Sequence, residues 1–439
     1  MSNRTVLSLY VVSISLASAA IPIGANHYIK FDWIGAVVVI LVSGIVMVLH
    51  NRVVPAMIVV FVSLYSVYLL VNGLYSNMIS PSFDFGRYFS YFSQFTFAFA
   101  TVTFIGLMKV DSHTVKKVLR LWSMLAFGAS MLAVVQVISD DLIVDRFLFV
   151  PYYDAFDFGI SRKYVSGLLA ATAWFAEASH FGAFLAVPYI YTLYCLLTEH
   201  GDRRRSLLNA GMFAGIGMGV FLTYSLTAFL AVAIGMLSIM LLVRRYWCGV
   251  AFMLSACVAL AYLFSDYPYI VLQIERIHES SRYLSDLLGA TQADGTTTSF
   301  YVRSIGFLAA FEDFLDNPIL GIGVGQGSVL AYHSGFLTML AQQGIIGVLF
   351  CYSLPVFVIL KLVGIRRKSG TEVQWLSGFF AVGLITDYTS GLITHHPMVL
   401  HRWFLVSLAV SWIYGLRWTL SDYEYGQPEP LQRRCSVDR

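Results

Sequence analysis

Charged residues are scarce in this sequence. Only 12% of its 439 residues are Asp, Glu, Lys or Arg, and the formal net charge is +3. Soluble domains carry about 25% charged residues. The chain is 58% hydrophobic, and its mean hydropathy is +0.73. These values predict a polytopic membrane protein, and so small a net charge argues against a nucleic-acid partner.

The chain also lacks the patterns of a disulfide-bonded or metal-binding domain. Its five cysteines are scattered, four of them within apolar segments, so they form neither a disulfide framework nor a metal motif. The first apolar segment, from Val6, lacks a small-residue cleavage site, and we expect it to be retained as a span. There is no soluble domain, low-complexity linker or internal repeat, and no pair of matching interrupted helices that would indicate a secondary transporter.

What the sequence does have is a series of apolar runs of membrane-spanning length with few or no charges. They lie near 6–24, 33–49, 54–73, 88–108, 118–138, 179–198, 247–265, 335–360, 373–388 and 400–417. A further uncharged run from Ser206 to Val243 would be about 57 Å long as one helix, nearly twice a hydrocarbon core of about 30 Å. We therefore expect two spans there, with a tight turn near Thr223-Tyr224-Ser225, and twelve spans in all.

The basic clusters in the connecting segments all fall on one side of this arrangement, as the positive-inside rule requires. We therefore expect a multi-pass protein of a bacterial inner membrane with both termini cytoplasmic. The fold class expected is all-α, a single integral membrane domain over residues 1–439. The large loop 266–334, between spans nine and ten, would be periplasmic and contain short helices. Smaller outer segments are 74–87, 139–165 and 389–402.

The segment 299–349 has the densest set of unusual features. The spacing of Phe307, Ala310, Phe311 and Phe314 predicts a short amphipathic helix, which Pro318 ends. Four glycines at alternate positions follow, and then His333. We interpret an arginine, a flexible backbone and an imidazole at the membrane surface as a catalytic ledge. The alternative is an ordinary loop with glycine turns and a solvated histidine. A dinucleotide site is disfavoured because a helix, not a strand, precedes the glycines.

Four arginines are expected on the outer side, each close to the start of a span or helix: Arg87, Arg162, Arg303 and Arg402. Planar guanidinium groups bind phosphate in a bidentate manner, so together they suggest a site for a lipid diphosphate. The alternative for any single one is contact with lipid headgroups. We expect no metal, because His395 and His396 are sequence neighbours and no repeated acidic pair accompanies them.

Other residues of the outer segments could bind a sugar or accept a proton. Tyr152, Tyr153 and Asp154 belong to a segment of interleaved aromatic and acidic residues that could bind a glycan, with His396 as a further contact. The alternative for the aromatic residues is an interfacial belt. Glu177 lies at the outer edge of a span, where an ionisable group suggests function. It could equally be a structural partner of an arginine on a neighbouring helix.

The stretch 316–350 resembles the signature of the bacterial O-antigen polymerase and O-antigen ligase superfamily. That signature has an arginine-bearing helix, Asn-Pro-x-x-Gly-x-Gly, a variable loop, His-(Asn/Ser)-x-Phe-Leu and then Gly-x-x-Gly at the next span. The residues that fit it are Arg303, Asn317, Pro318, Gly321, Gly323, His333, Phe336, Leu337, Gly344 and Gly347.

Two other segments resemble the polymerase more than the ligase. Ligases usually carry an arginine after the serine in the segment similar to 223–235, and here that position is Leu226. The stretch from Arg162 through Ser166-Gly167 to Glu177 is similar, with enlarged spacing, to a pattern of surface-polysaccharide polymerases. Ala178 replaces the proline of that pattern.

The resemblance implies a glycosyltransferase without metal or cofactor that works on the periplasmic side. Its substrates would be oligosaccharides linked to undecaprenyl diphosphate in the lipid bilayer, and a flippase and a chain-length regulator would be candidate partners. His333 would be the base, with Glu177 as alternative base or orienting group, and the arginines would bind the leaving diphosphate. The alternatives are a ligase that transfers the glycan to lipid A core and a flippase of lipid-linked sugars.

Overall fold

The computed structural model describes most of the membrane-spanning part of the chain. The described residues are 2–16, 20–22, 28–50, 56–80, 83–139, 164–165, 168–175, 178–198, 203–242, 247, 249–251, 255, 299–327, 334–367, 371–394 and 400–425.

Within this part the protein is built from helices, which confirms the predicted all-α class. They are α1 (Asn3–Ser15), α2 (Phe31–His50), α3 (Ala56–Ile79), α4 (Phe85–Gly106), α5 (Ser112–Ser139), α6 (Ala178–Thr198), α7 (Arg203–Leu222), α8 (Leu226–Leu242), α9 (Ser299–Asp316), α10 (Gly335–Arg366), α11 (Thr371–Thr394) and α12 (Leu400–Tyr425). Two minimal antiparallel hairpins accompany them, β1 (Ala20–Pro22) with β2 (Tyr28–Lys30) and β3 (Tyr164–Val165) with β4 (Leu168–Leu169).

The long uncharged run after Ser206 forms two helices, as predicted. α7 ends at Leu222 and α8 begins at Leu226. Tyr224 adopts a φ of 50° in the turn between them, a conformation that ends a right-handed helix. The prediction of two spans joined near Thr223-Tyr224-Ser225 is therefore confirmed as two helices.

The first predicted span, 6–24, is wrong in its second half. α1 ends at Ser15, and the chain turns into the β1–β2 hairpin. Trp174 donates a hydrogen bond to the carbonyl of Ser15, which satisfies one of the acceptors at the helix end. Pro22 disfavours the helical conformation for the residue before it. A helix of this length is only about 20 Å long, shorter than the usual span.

Five of the described helices are long and apolar enough to cross a membrane by length and composition, namely α3, α5, α6, α7 and α10. Two apolar stretches, Phe31–Ile45 and Thr227–Leu242, are shorter. Most of the predicted span 247–265 lies outside the described residues. The protein is thus a multi-helical membrane protein, and the count of twelve spans stays a prediction.

Hydrogen bonds and an ion pair between helices define the two ends of the bundle. At one end Asn3 donates to the carbonyl of Met108 at 2.6 Å, and Lys116 lies 3.0 Å from Glu372. We call this the basic end, since most of the described basic residues of the connections and adjacent helix termini lie there: Lys109, Lys116, Lys117, Arg120, Arg203, Arg204, Arg205, Arg366 and Arg367.

We call the opposite end the far end. There the amide of Ala171 donates to the carbonyl of Leu222 at 3.0 Å. The far end also holds the beginning of α4, the beginning of α10 and the junction of α11 with α12. Arg87 and Arg402 lie near these helix starts, so the structure brings both of them to the end opposite the basic clusters.

α10 is not one continuous span, because it folds back at Gly344. This glycine has φ 60° and ψ −167°, values that lie far outside the helical region. The rings of Phe336 and Tyr352 are only 6.2 Å apart, whereas 16 residues of straight helix would separate them by about 24 Å along the axis. We therefore distinguish a short arm, residues 335–343, from a long arm, residues 345–366.

The fold-back corrects the predicted span 335–360. The long arm is about 33 Å long and by itself matches a hydrocarbon core of about 30 Å. The beginning of the short arm lies at the far end of the bundle, since Ser334 donates a hydrogen bond to the carbonyl of Leu392 on α11. At its other end, Tyr65 of α3 donates to the side-chain oxygen of Gln343 at 3.0 Å.

Candidate functional site

The break in α10 receives the glycine loop, which we define as residues 317–327. The amides of Ile322 and Gly323 donate to the carbonyls of Ala341 and Gln342, each at 2.9 Å. In the other direction, the amide of Ile345 donates to the carbonyl of Pro318 at 2.9 Å. A broken helix leaves such groups without partners inside the helix. The loop supplies the hydrogen bonds that the helix loses at Gly344.

Glycine is required where these two backbones meet. A Cβ atom on Gly321, which has φ 74°, would stand 2.4 Å from the carbonyl carbon of Gln342. A Cβ atom on Gly344 would stand 2.4 Å from the carbonyl oxygen of Ile319. Both positions combine a positive φ with backbone contact, and only glycine permits both.

The glycine loop is packed inside the protein and is not a set of solvated turns. Gly321, Gly323, Val324 and Gly325 are buried, and Gln326 is only 8% exposed. The role of this backbone as a catalytic ledge stays a prediction. Alternating glycines serve close packing as readily as flexibility, and a sequence does not distinguish the two uses.

Two buried amide side chains of the helices hold the loop. Asn72 of α3 donates to the carbonyls of Leu320 (2.6 Å) and Gln342 (3.2 Å) and accepts from the amide of Val324 (3.0 Å). Gln342 accepts from the amide of Gly325 and donates to the carbonyl of Gln326, both at 3.2 Å. These residues were not predicted from the sequence, although a polar amide inside an apolar run is a visible signal.

Gln326 connects the loop to the beginning of α4. Its side-chain amide donates to the carbonyl of Asp84 at 3.0 Å and accepts from the amide of Asp84 at 2.9 Å. Asp84 caps α4 by accepting from the amide of Arg87 at 3.0 Å. A Cβ atom on Gly325 would lie 3.0 Å from the carbonyl oxygen of Arg87. The structure thus brings the glycine loop and Arg87 into direct contact.

Arg87 is exposed and only weakly paired. Its Nε atom lies 3.4 Å from a carboxylate oxygen of Asp84, and the two side chains are 53% and 49% exposed. A pair this exposed contributes little to stability. The guanidinium therefore remains accessible at the far end, where an anionic group could contact it.

The helix predicted before the glycine loop is present as α9, and it ends at Asp316, as the following Pro318 predicts. The side that packs against the short arm is formed by Ala310, which contacts Leu337 and Ala341. The predicted apolar stripe is only partly the packed side, because Phe307 is 45% and Phe311 42% exposed. Small residues allow the two helices to approach closely, and the aromatic residues are left on the surface.

The described part of α9 also carries acidic residues near its end. Burial raises the pKa of Asp313, and the neighbouring charges of Asp316 and Glu312 raise it further. Arg303 lies in α9 one turn before Phe307. Its side chain lies outside the described residues, so its role in the anion site stays a prediction.

Arg402 occupies a different environment from Arg87, because it is buried in the junction of α11 and α12. It is 2% exposed, and its Nε atom lies 3.7 Å from Oδ2 of Asp387, which is fully buried. His401 Nε2 lies 3.5 Å from Oδ1 of the same carboxylate. The guanidinium also lies over the ring of Tyr388, at 5.4 Å from its centroid.

Asp387 is a residue that the sequence analysis missed. It is a single acid in an otherwise uncharged span, and an ionisable group at membrane depth is itself a signal of function. The contacts of its carboxylate with Arg402 and His401 are longer than normal hydrogen bonds. Neither carboxylate oxygen of Asp387 has a hydrogen-bond partner among the described residues, whereas its backbone carbonyl accepts from the guanidinium of Arg402 at 3.5 Å. The cluster therefore retains donors and acceptors that a neighbouring group could use.

An aromatic series connects Arg402 to the residues beside His333. The ring of Tyr388 lies 5.9 Å from that of Tyr352, which in turn lies 6.2 Å from Phe336 in the short arm. Ser334, which follows His333 in sequence, is fixed to α11 and also caps the short arm by accepting from the amide of Leu337 at 3.3 Å. The chain on the C-terminal side of His333 is thus held at the far end.

Most other predicted site residues lie outside the part of the chain that the structure describes. They are Tyr152, Tyr153, Asp154, Arg162, Glu177, His333 and His396. Among the described residues there is no group of three or more His, Cys, Asp or Glu side chains that could hold a metal ion. For these seven residues the roles remain predictions.

The fold and the far end define the class of this protein: a multi-pass helical membrane protein with arginines and a buried glycine loop at the end opposite its basic clusters. Residues 210–352, from α7 to the long arm of α10, match the family model described as O-antigen ligase. This match confirms the predicted resemblance to the O-antigen polymerase and ligase superfamily over that segment. It supports a membrane enzyme of O-antigen or related surface-polysaccharide synthesis. No curated protein matches the sequence.

Proposed function

We propose that this protein polymerises repeat units of O-antigen, or of a related surface polysaccharide, carried on undecaprenyl diphosphate. The reaction takes place at the far end of the bundle, which faces the periplasm. The observation that carries the choice of polymerase is Leu226, the first residue of α8. Leu226 lies inside the segment that matches the family, at a position where ligases usually have an arginine.

In the proposed reaction, a hydroxyl of the acceptor repeat unit attacks the anomeric carbon of the donor glycan. The new glycosidic bond forms as the bond between that carbon and the lipid diphosphate breaks. The hydroxyl proton passes to His333, or to Glu177 if that residue is the base. The leaving diphosphate keeps the electron pair and is stabilised by guanidinium groups, of which Arg303, Arg162 and Arg87 are the main candidates.

Several features of the far end support this proposal. Arg87 is exposed beside the glycine loop, where a diphosphate could bind it. Arg402 is buried and held by Asp387, so it would contribute through the fixed orientation of its guanidinium. The exposed apolar side chains of α9, including Leu315 at 59%, suit a helix that lies at the membrane surface. A lipid-linked substrate would reach the arginines along that surface.

The remaining site residues have proposed roles on the glycan. Tyr152 and Tyr153 would stack on sugar rings, and Asp154 and His396 would bind sugar hydroxyls. No metal and no cofactor takes part in the proposed mechanism. A flippase would supply the lipid-linked repeat units from the cytoplasmic side, and a chain-length regulator would limit the product.

The second candidate is an O-antigen ligase, which transfers the finished glycan to lipid A core. It is favoured by the description of the family that residues 210–352 match. The two reactions use the same donor, and they differ in the acceptor. The same arginines and base would serve either one.

The lipopolysaccharide of a strain that lacks the gene tests the proposal. Loss of a polymerase leaves lipid A core capped with one repeat unit, whereas loss of a ligase leaves core without any repeat. The one-repeat band is the expected result. Bare core would overturn the polymerase in favour of the ligase.

A transferase is distinguished from a flippase by His333→Ala. A flippase needs no base and should keep its activity in that variant, whereas a transferase that uses His333 as base should lose most of it. The levels of the wild-type protein and of the His333→Ala variant in the membrane fraction provide the control.

A further inference from the structure

We propose that Asn72 and Gln342 are positioning residues, which hold the glycine loop in the break of α10 and so fix the helix ends next to it, the end of α9, which carries Arg303, and the beginning of α4, which carries Arg87. The proposal rests on the transferase function proposed above, because it assigns these residues a part in that reaction. Neither residue belongs to the motif by which the superfamily was identified.

The two residues satisfy polar groups that the fold-back of α10 leaves in the interior. Asn72 is fully buried and uses both donor hydrogens and its acceptor oxygen, on Leu320, Gln342 and Val324. Its amide orientation is thereby defined, since carbonyl oxygens face the nitrogen and an amide hydrogen faces the oxygen. One side chain on α3 thus joins the loop to the short arm.

Gln342 continues this attachment along the loop. It is 1% exposed, and it holds the amide of Gly325 and the carbonyl of Gln326. Gln326 then pairs with Asp84, three residues before Arg87. Together with the backbone bonds of Ile322 and Gly323, these contacts fix the loop from Leu320 to Gln326.

The fixed loop lies between the segments that carry the proposed chemistry. On its N-terminal side, Tyr75 of α3 donates to the side chain of Asn317 at 3.2 Å, directly after the end of α9, which carries Arg303. On its C-terminal side, Gln326 is paired with Asp84 at the beginning of α4, which carries Arg87. The two helices that carry proposed diphosphate-binding arginines thus share one support, and a displacement of about 1 Å can lower a rate by about 100-fold.

The experiment compares Asn72→Ala with Gln136→Ala in the full-length protein. Gln136 of α5 is the matched control, because it is also fully buried at the far end and bonds the backbone of Ala173 through both its oxygen (2.9 Å) and its nitrogen (2.7 Å). It does not contact the glycine loop among the described residues. Its loss should therefore affect stability without displacing the loop.

The first measurement is hydrogen–deuterium exchange of the amides of Ile322, Gly323 and Val324. Asn72→Ala should raise their exchange rates at least 10-fold, and Gln136→Ala should leave them unchanged. Unchanged exchange in Asn72→Ala would overturn the proposed attachment, whatever the protein's activity. If Asn72→Ala is not recovered from membranes, Gln342→Ala, which loses two longer bonds, replaces it in the same comparison.

The second measurement is steady-state kinetics with lipid-linked repeat units extracted from a strain that lacks the gene. Asn72→Ala should lower kcat by about 10- to 100-fold with KM changed less than about 3-fold, since alignment rather than affinity is lost. Faster exchange with an unchanged kcat would overturn the positioning role and leave the loop merely structural. A wild-type protein without transferase activity would overturn the proposed function, while the exchange comparison would still decide the attachment.

Discussion

Replacing Gly344 by alanine is the most direct test of the fold-back in α10. The backbone of Gly344, at φ 60° and ψ −167°, lies in a region that is essentially restricted to glycine. An added Cβ atom would stand 2.4 Å from the carbonyl oxygen of Ile319 and 2.8 Å from the amide nitrogen of Gly321. Neither neighbour is the end of a flexible side chain, so the strain cannot be relieved locally.

The expected loss of stability follows from the backbone strain and from the hydrogen bond that would break if the loop moved to relieve that strain. A side chain in this conformation costs about 1–3 kcal/mol. Moving the loop away from Gly344 disrupts the bond between the two buried residues Gly323 and Gln342, and a buried group left without a partner costs about 1–3 kcal/mol. Adding the strain and this one bond, we expect a loss of about 2–6 kcal/mol in the free energy of unfolding.

The assay is unfolding by SDS titration in mixed micelles, followed by tryptophan fluorescence. Gly364→Ala is the matched control, since Gly364 also lies in α10 and an added Cβ would have nothing within 4 Å. Alanine is favoured over glycine in a helix by about 1 kcal/mol, so the control should be neutral or slightly stabilised. Equal stability of Gly344→Ala and Gly364→Ala would refute the fold-back.

The remaining predictions concern orientation and chemistry. Fusions of a periplasm-active reporter should be active after residues 80, 150, 290 and 395 and inactive after residues 113, 203, 245 and 367; an active fusion at 203 would contradict the twelve-span orientation. Arg303→Lys keeps the charge but loses the planar fork, so transferase activity should fall strongly at normal protein level; full activity would mean that only a diffuse positive charge is needed. Asp387→Asn should lower the free energy of unfolding by about 3–5 kcal/mol, because it leaves Arg402 buried without a counter-charge; thermal or SDS unfolding unchanged from wild type would show that the pair is not stabilising. Excess EDTA should leave chain extension by the purified protein undiminished, and restoration of a chelated enzyme by magnesium or manganese would exclude the arginine-based mechanism.

The sequence alone determined those properties that depend on composition and local order. A low content of charge and a series of apolar runs required a membrane-embedded helical protein, because only helices and closed barrels satisfy the backbone in lipid. The turn at Thr223–Ser225 could be predicted from length, since one helix of about 57 Å exceeds the bilayer. The glycine and proline motif of residues 316–350 was sufficient for the superfamily.

The arrangement of the residues at the far end of the bundle was decided only by the tertiary structure. Gly344 lies in an apolar run that reads as one continuous span, and glycine is common in membrane helices. Its fold-back depends on backbone bonds with residues 318–323, which the sequence separates from it by a loop. Asn72 likewise is visible as a polar residue in a span, but its partners lie about 250 residues away.

Arg87 and Arg402 show the same difference between what the sequence determines and what the tertiary structure decides. Arg87 and Arg402 were both predicted at the outer surface from their places near helix starts. Arg87 is exposed because α4 begins at the surface beside the glycine loop. Arg402 is buried because the antiparallel packing of α11 and α12 sets it against Asp387 and beside Gly391, which has no side chain to exclude it. The sequence determined which residues are present at the far end, and the packing of distant helices decided which of them water and substrate can reach, because burial depends on non-local contacts.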